Sequence, residues 1–178
     1  MKSRYKILES DDSLYFLTMN VFLKIPVFTN LSYMDIILEN FKFYRENQDL
    51  KIFAYVIMDN HIHMVASHPT DLSGLLRNFK SFTAKKLIER LHLDEKKWIL
   101  QLMLENKPDY KQESTYQFWQ EGNHPKQIQD IEMFNQKVEY IHYNPVRRGL
   151  VEKEEDWIYS SARNFSVLES VFQVDEID

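Results

Sequence analysis

Two strand-like segments separated by only two residues constrain the fold of this chain more than any other feature. Residues 50–58 (LKIFAYVIM) are rich in β-branched and aromatic side chains, and residues 61–67 (HIHMVAS) alternate between polar and apolar types at their start. Asp59 and Asn60 lie between them, and both residue types favour tight turns because their short side chains bond to nearby backbone. The pattern predicts a β-hairpin.

Further elements flank this hairpin. Strands are predicted at residues 13–23 and 116–120, and helices from an N-cap at Ser32, at about 71–91, and from Ile128 to near Asn144, where Pro145 stops the last one. Residues 92–114 are expected to be an insertion with a short helix and a flexible connection. This order of strands and helices favours an α+β fold, in which helices pack on an antiparallel sheet.

Composition restricts the classes of protein to consider. The 178 residues suffice for one domain spanning 1–178, and 44% hydrophobic with 28% charged residues is close to globular averages. The absence of cysteine excludes disulfides, thiolate zinc sites and cysteine nucleophiles. Because the first ten residues lack an apolar core and no long apolar run follows, we expect a cytoplasmic protein without a membrane partner.

The net charge of -5 argues against a broad basic surface for nucleic acid. Much of the acidity is concentrated in residues 152–156 and 175–178. Any contact with nucleic acid is therefore expected to depend on local basic clusters.

His61 and His63 stand two residues apart on a predicted strand. Alternate residues of a strand point to one face, so the two imidazoles would lie roughly 7 Å apart along the chain, a span that one metal ion bridges. Ile62 and Met64 would then face the opposite way. The alternative is that one histidine packs in the sheet and the other is incidental.

Tyr140 and Asn144 stand one turn apart on the last predicted helix. At 100° per residue both fall outside the apolar stripe that ends at Ile141, so Tyr140 is not expected to be simple core. A tyrosine beside a metal site can act as a nucleophile once its proton is lost, because the ion lowers the charge barrier at a phosphate. An ordinary half-buried tyrosine is the alternative.

Four segments, in order along the chain, resemble the successive motifs of the REP-associated tyrosine transposases, which are relatives of the small single-tyrosine HUH transposases. They are residues 58–64 (MDNHIHM), 118–120 (FWQ), 140–150 (YIHYNPVRRGL) and 157–162 (WIYSSA). The resemblance implies a ferredoxin-like antiparallel sheet of the HUH-nuclease type, with the histidine pair on a central strand.

The same resemblance implies a chemistry. Tyr140 would attack a DNA phosphate to give a 5′-phosphotyrosine and a free 3′-hydroxyl, acting on single-stranded DNA near a hairpin. Asn144 would join His61 and His63 as the third protein ligand of a Mg²⁺ or Mn²⁺ ion. With one such tyrosine per chain, cleavage and joining are sequential or shared between two subunits of a homodimer.

The chain departs from the family at two places. Asp59 stands where many relatives have proline, which adds a carboxylate near the metal ligands. The segment around Glu121 and His124 lacks an arginine where relatives often carry basic residues. His124 is a weaker alternative ligand and is otherwise a turn histidine.

Candidate DNA contacts lie on the long helix and after the tyrosine helix, with an ordinary solvated face as the alternative for each. They are Arg77, Lys80, Ser81, Lys85, Arg147 and Arg148. Trp119 and Gln120 complete the set, since an exposed tryptophan can stack on an unpaired base, although core packing is the usual fate of that residue type.

Two other functions remain open at this point. A domesticated hairpin-binding protein would keep the fold without turnover. A metal hydrolase of another fold could also carry a His-x-His pair, but the chain is too short for an amidohydrolase barrel. Val65 stands where a histidine-triad hydrolase would place its third histidine.

Overall fold

The computed structural model describes residues 13–111, 114–122 and 125–177. Its sheet has four strands, β1 (Tyr15–Asn20), β2 (Lys51–Ile57), β3 (His61–Ser67) and β4 (Lys126–Gln127). The strand order is β2-β3-β1-β4, and each neighbouring pair is antiparallel. This is the order of a ferredoxin-like sheet, so the predicted α+β fold class is confirmed.

The α-helices within the described residues are α1 (Leu31–Gln48), α2 (Leu72–Leu93), α3 (Lys97–Glu105), α4 (Ile131–Arg147) and the short α5 (Ala162–Phe165). None of these helices is both long enough and apolar enough to cross a lipid bilayer. Helix α3 lies within the predicted insertion and packs on α2. Whether residues 92–114 are an insertion stays a prediction.

The two faces of the sheet are covered by different helices. Leu17, Ile62 and Met64 share the larger core with α1 and α2. The opposite face carries Phe16 and Val65, which pack against α4 in a second core. Since strand side chains alternate between faces, the period of two in β1 and β3 decides which residues meet α4.

The hairpin predicted from residues 50–67 is confirmed. Ile57 pairs with Ile62, and the Met58 amide donates to the His61 carbonyl at 2.8 Å, which closes the turn at Asp59 and Asn60. Strand β3 has the predicted bounds. A bulge between residues 52 and 54 shifts the register of β2, which places both Phe53 and Ala54 on the α4 face.

The outer edge of β2 is covered by the C-terminal part of the chain. The amide of Ile57 donates to the Tyr159 carbonyl at 2.9 Å, and the amide of Tyr55 donates to the Ser161 hydroxyl at 2.9 Å. Ser161 also bonds to His142 of α4 at 2.8 Å. The 157–162 motif therefore closes an edge strand and ties it to α4.

The predicted fourth strand at 116–120 is wrong. Trp119 makes only an isolated bridge to Val21, and β4 lies further along the chain. The physical reason is that β1 ends at Asn20, where the chain enters a 3₁₀ turn with a left-handed backbone at Leu23 (φ 56°). The predicted first strand of residues 13–23 is too long for the same reason.

Two predicted helix limits also need correction. The N-cap of α1 is Asn30, whose side chain accepts from the Ser32 amide at 3.0 Å, so the helix begins two residues earlier than expected. Pro145 does not stop α4, which continues to Arg147. The proline removes one backbone donor near the end of the helix, and its buried ring together with the Arg148 to Asn144 hydrogen bond of 3.1 Å keeps the last turn helical.

Candidate active site

The two histidines of β3 share one face of the sheet, as the sequence predicts, and the structure shows that this face is the one covered by α4. Ile62 and Met64 point into the larger core, whereas His61 and His63 lie on the other side of the sheet. Their ring centroids are 4.6 Å apart, so the rings approach more closely than the strand spacing alone requires. His63 is buried and His61 is partly exposed.

A hydrogen bond at Nδ1 orients each ring. The Asn60 side-chain oxygen lies 2.7 Å from His61 Nδ1, and the Asn60 amide nitrogen donates to the Lys24 carbonyl at 3.1 Å. Because that oxygen only accepts, His61 Nδ1 carries the proton. The Thr18 hydroxyl lies 2.8 Å from His63 Nδ1. Among the described residues no hydrogen bond is made at Nε2 of either ring, which is the arrangement usual in metal-ligating histidines.

Both imidazoles are neutral at physiological pH. Burial is the largest cause, and it lowers the pKa of His61 to about 4 and that of His63 to about 3. The nearby cations Lys24 and Arg147 lower both pKa values further. A neutral imidazole is the form that donates a lone pair to a metal ion.

Tyr140 lies against this pair in the same chain. Its ring centroid is 5.3 Å from that of His63 and 5.9 Å from that of Phe16, which in turn stacks on His63 at 5.4 Å. Tyr140 is 38% exposed, so its phenol is accessible from solvent. Arg147 donates towards the Tyr140 hydroxyl at 3.4 Å, one further contact that orients the phenol.

Asn144 lies on α4 between Tyr140 and Arg148, and each of these two residues contacts the sheet or its turn. Tyr140, one turn before, meets His63, and Arg148, one turn after, meets Asp59 at 3.2 Å. Residues four apart share one helix face, so Asn144 lies on the same face of α4 as Tyr140 and Arg148. It is 1% exposed, and within the described residues its side-chain nitrogen has no hydrogen-bond partner.

These residues fit a hard divalent ion. In the described part of the chain, no three His, Asp or Glu side chains converge on one point, so a third ligand has to be an amide or water beside the histidines. Asn144 could meet that requirement only through its side-chain oxygen, because the atom without a partner is the nitrogen Nδ2, which donates hydrogen bonds and does not bind a cation. His124, the alternative ligand, lies outside the described residues.

Sequence reasoning did not assign a role to several residues around the site. Thr18 and Phe16 reach His63 from β1, and Asn60 orients His61 from the turn. Their roles depend on the register between β1 and β3, a pairing that the sequence analysis did not predict. Lys24 could not be found in this way, because its position depends on the left-handed backbone at residues 23 and 24.

Most of the other candidate DNA contacts lie around a separate cleft. Lys80, Ser81, Lys85 and Gln120 line a cavity of about 400 Å³ between α2 and residues 114–121. Lys80 donates to the Gln120 carbonyl at 2.8 Å, and burial lowers the pKa of Lys80 to about 8. Arg77 is exposed one turn before Ser81. Arg147 and Arg148 instead lie beside Tyr140 and Asp59.

Trp119 does not have the exposed ring that base stacking requires. It is 5% exposed, its ring lies 6.0 Å from that of Phe28, and its indole nitrogen donates to the Thr83 hydroxyl at 3.1 Å. The ring therefore fills the core between β1 and α2, because its apolar surface and its single donor are both satisfied there.

Comparison with solved structures identifies a protein of similar fold. No protein-family model matches the chain. No curated protein matches it. The solved "Structure of the REP associates tyrosine transposase bound to a REP hairpin" matches with a TM-score of 0.66 and 19% sequence identity. The match covers 99% of this chain and 93% of that one, so the two share a fold over their length.

The buried histidines predict a pH dependence of the metal-free protein. In the unfolded chain the pKa of each histidine returns to 6.5, so the unfolded state is protonated below that pH. The folded state does not protonate His61 until the pH falls to about 4. The free energy of unfolding should therefore fall as pH drops from 6.5 towards 4. Urea unfolding at pH 7 and at pH 5 measures this change in the free energy of unfolding. His61→Gln/His63→Gln should lose less stability over this interval than wild type, and an equal loss would contradict the assignment.

Proposed function

We propose that this chain is a metal-dependent endonuclease and strand-transferase for single-stranded DNA, with Tyr140 as its nucleophile. The observation that carries the proposal is the contact between Tyr140 and His63, whose rings lie 5.3 Å apart within one chain. The fold it shares with a tyrosine transposase supports the same conclusion. The site requires no second subunit to bring the tyrosine and the histidine pair together.

The reaction forms one bond and breaks one. The Tyr140 oxygen attacks a phosphorus of the DNA backbone, and the bond from that phosphorus to the upstream 3′ oxygen breaks. The products are a 5′-phosphotyrosine and a 3′-hydroxyl. The phenol releases its proton to solvent and the departing oxygen takes one up, so the step is balanced. Attack by another strand's 3′-hydroxyl reverses the reaction and joins the two DNA ends.

The side chains around Tyr140 have distinct roles. His61, His63 and Asn144 would hold a Mg²⁺ or Mn²⁺ ion. When bound, that ion would polarise the scissile phosphate and neutralise its charge. Phe16 and Arg147 position the phenol, and Arg147 also lies where it can donate to a phosphate oxygen. Catalysis then consists mainly of positioning and electrostatic stabilisation.

Hairpin-bearing DNA is the proposed substrate. The solved transposase of similar fold is bound to a hairpin. Here a local cationic group made by Lys24, Arg147 and Arg148 surrounds the histidines, although the chain as a whole is acidic. The α2 cleft, with Lys80, Lys85 and Gln120, offers a second surface for the DNA backbone.

A covalent-adduct assay tests the proposal. Wild-type protein, Mn²⁺ and a single-stranded oligonucleotide with a hairpin should give a protein-DNA species that survives a denaturing gel. Tyr140→Phe removes the nucleophile and should give none, and Tyr143→Phe, also exposed on α4, is the matched control and should react normally. His63→Ala should reduce the adduct by at least about 100-fold, as expected for loss of a metal ligand.

The same assay separates the proposal from its runner-up, a hairpin-binding protein without turnover. That reading predicts hairpin binding by wild type and by Tyr140→Phe, with no adduct from either. An adduct that persists in Tyr140→Phe would instead show that another residue is the nucleophile.

The exposed cations of α2 predict a measurable electrostatic contribution. Arg77→Gln/Lys85→Gln should weaken hairpin binding and reduce the slope of log affinity against log salt by about 1 to 2, because each contact releases roughly one counterion. Lys42→Gln/Lys51→Gln changes the net charge equally at exposed positions on α1 and β2. If both double variants change the slope by the same amount, α2 is not a DNA contact surface.

A further inference from the structure

We propose that Lys24 is a further catalytic residue, whose ammonium donates a hydrogen bond to a non-bridging oxygen of the scissile phosphate. This inference rests on the proposed function, because it concerns the phosphate that Tyr140 attacks beside His61 and His63. It assigns a role to a cation that lies outside the four sequence motifs.

The pairing of β1 with β3 places Lys24 beside the histidines. Asn20 is the partner of His61 across the two strands. Side chains of paired residues lie on one face of a sheet, with their Cβ atoms roughly 5 Å apart. The Lys24 ammonium donates to the Asn20 side-chain oxygen, so it lies on this face as well. Its charge helps to lower the pKa of His61 and of His63, which agrees with a short separation.

The cation and the nucleophile lie at opposite ends of the histidine pair. Tyr140 contacts His63, with ring centroids 5.3 Å apart. Asn20 and Lys24 instead lie at His61. A phosphate over the two imidazoles, whose centroids are 4.6 Å apart, therefore has the attacking phenol on one side and the ammonium on the other. From there Lys24, without losing its proton, stabilises the negative charge that develops on the phosphate oxygens during attack.

The backbone at Lys24 has a conformation that residues other than glycine rarely adopt. Leu23 and Lys24 have φ angles of 56° and 57°, in the left-handed region. Such residues cost free energy, and they persist where neighbouring contacts hold them. Here the Lys24 carbonyl accepts from the Asn60 side chain at 3.1 Å, and the Lys24 amide donates to the Val21 carbonyl at 3.0 Å. Asn60 also bonds to His61, so one side chain ties this strained segment to the histidine pair.

Within the described residues, no acidic side chain forms an ion pair with Lys24, and its acceptor Asn20 is neutral. Arg148, another cation near His61, is by contrast paired with Asp59 at 3.2 Å. Lys24 is also exposed. An exposed cation without a counter-charge, held beside the histidines at a cost in backbone free energy, points to an anionic ligand. The proposed reaction supplies one in the DNA phosphate.

Substitutions of Lys24 test the inference through the rate of covalent adduct formation on hairpin DNA with Mn²⁺. Lys24→Met keeps most of the side-chain length and removes the charge, so it should lower the rate at saturating DNA by about 100-fold. Lys24→Arg keeps the charge and should restore most of that loss. Hairpin affinity should change by less than about tenfold in Lys24→Met, because a single phosphate contact releases roughly one counterion.

Two results of this comparison would overturn the inference. One is an unchanged rate at saturating DNA in Lys24→Met with weaker hairpin binding, since Lys24 would then only bind DNA. The other is a rate in Lys24→Arg as low as in Lys24→Met, since the charge would then not be the feature that matters.

A pair of glycine variants separates the ammonium from the backbone that carries it. Glycine adopts the left-handed conformation without strain, so Leu23→Gly and Lys24→Gly should both stay folded, which urea unfolding checks. Leu23→Gly retains the ammonium and should react at close to the wild-type rate, whereas Lys24→Gly should lose about 100-fold. Equal losses in the two variants would contradict the inference, because the conformation of the segment would then explain the effect.

The inference and the proposed function fail in different ways. Absence of the adduct from wild type would contradict the proposed function, and this inference with it. A wild-type adduct that forms at the same rate in Lys24→Met would overturn the role of Lys24 alone and leave Tyr140 as the nucleophile.

Discussion

The packing of α4 across one face of the sheet is the interaction on which the rest of the site depends. Val138 and Ile141 of α4 are buried with Phe16 and Val65 of the sheet. Burial of an aliphatic side chain of this size stabilises the fold by about 1.5 to 3 kcal/mol. Because this contact fixes the rotation of α4, it also brings Tyr140 to His63 and Arg148 to Asp59 in the β2–β3 turn.

The arrangement places functional side chains where apolar ones would stabilise the fold more. His61 and His63 occupy sheet positions that face a helix, and their burial disfavours the charged form. Hydrogen bonds from Asn60 and Thr18 offset part of that cost and orient the rings at the same time. The side-chain nitrogen of Asn144, which is buried without a hydrogen-bond partner among the described residues, adds a further cost. Such local costs are typical of binding and catalytic sites.

The sequence predicts the structure best where a regular repeat of apolar and polar residues determines a strand or a helix. Alternation in β3 predicts the common face of the histidines, and the helical spacing of apolar residues predicts α2, because both depend on residues close in sequence. The end of β1 and the position of Lys24 could not be predicted, since both depend on the left-handed backbone at residues 23 and 24. The two-residue β4 is too short to give a pattern of its own, and its pairing with the start of β1 is a tertiary contact. The contact between Asp59 and Arg148 joins residues 89 apart, and only tertiary packing reveals it.

The central claim is that one chain holds a complete site, with its own tyrosine against its own histidines. Mixing Tyr140→Phe with His63→Ala tests it most directly, with the covalent adduct on hairpin DNA as the readout and wild type as the positive control. The account predicts an adduct from wild type and none from the mixture, because neither variant contains a complete site. An adduct from the mixture would show that the tyrosine serves a partner's histidines and would contradict the account.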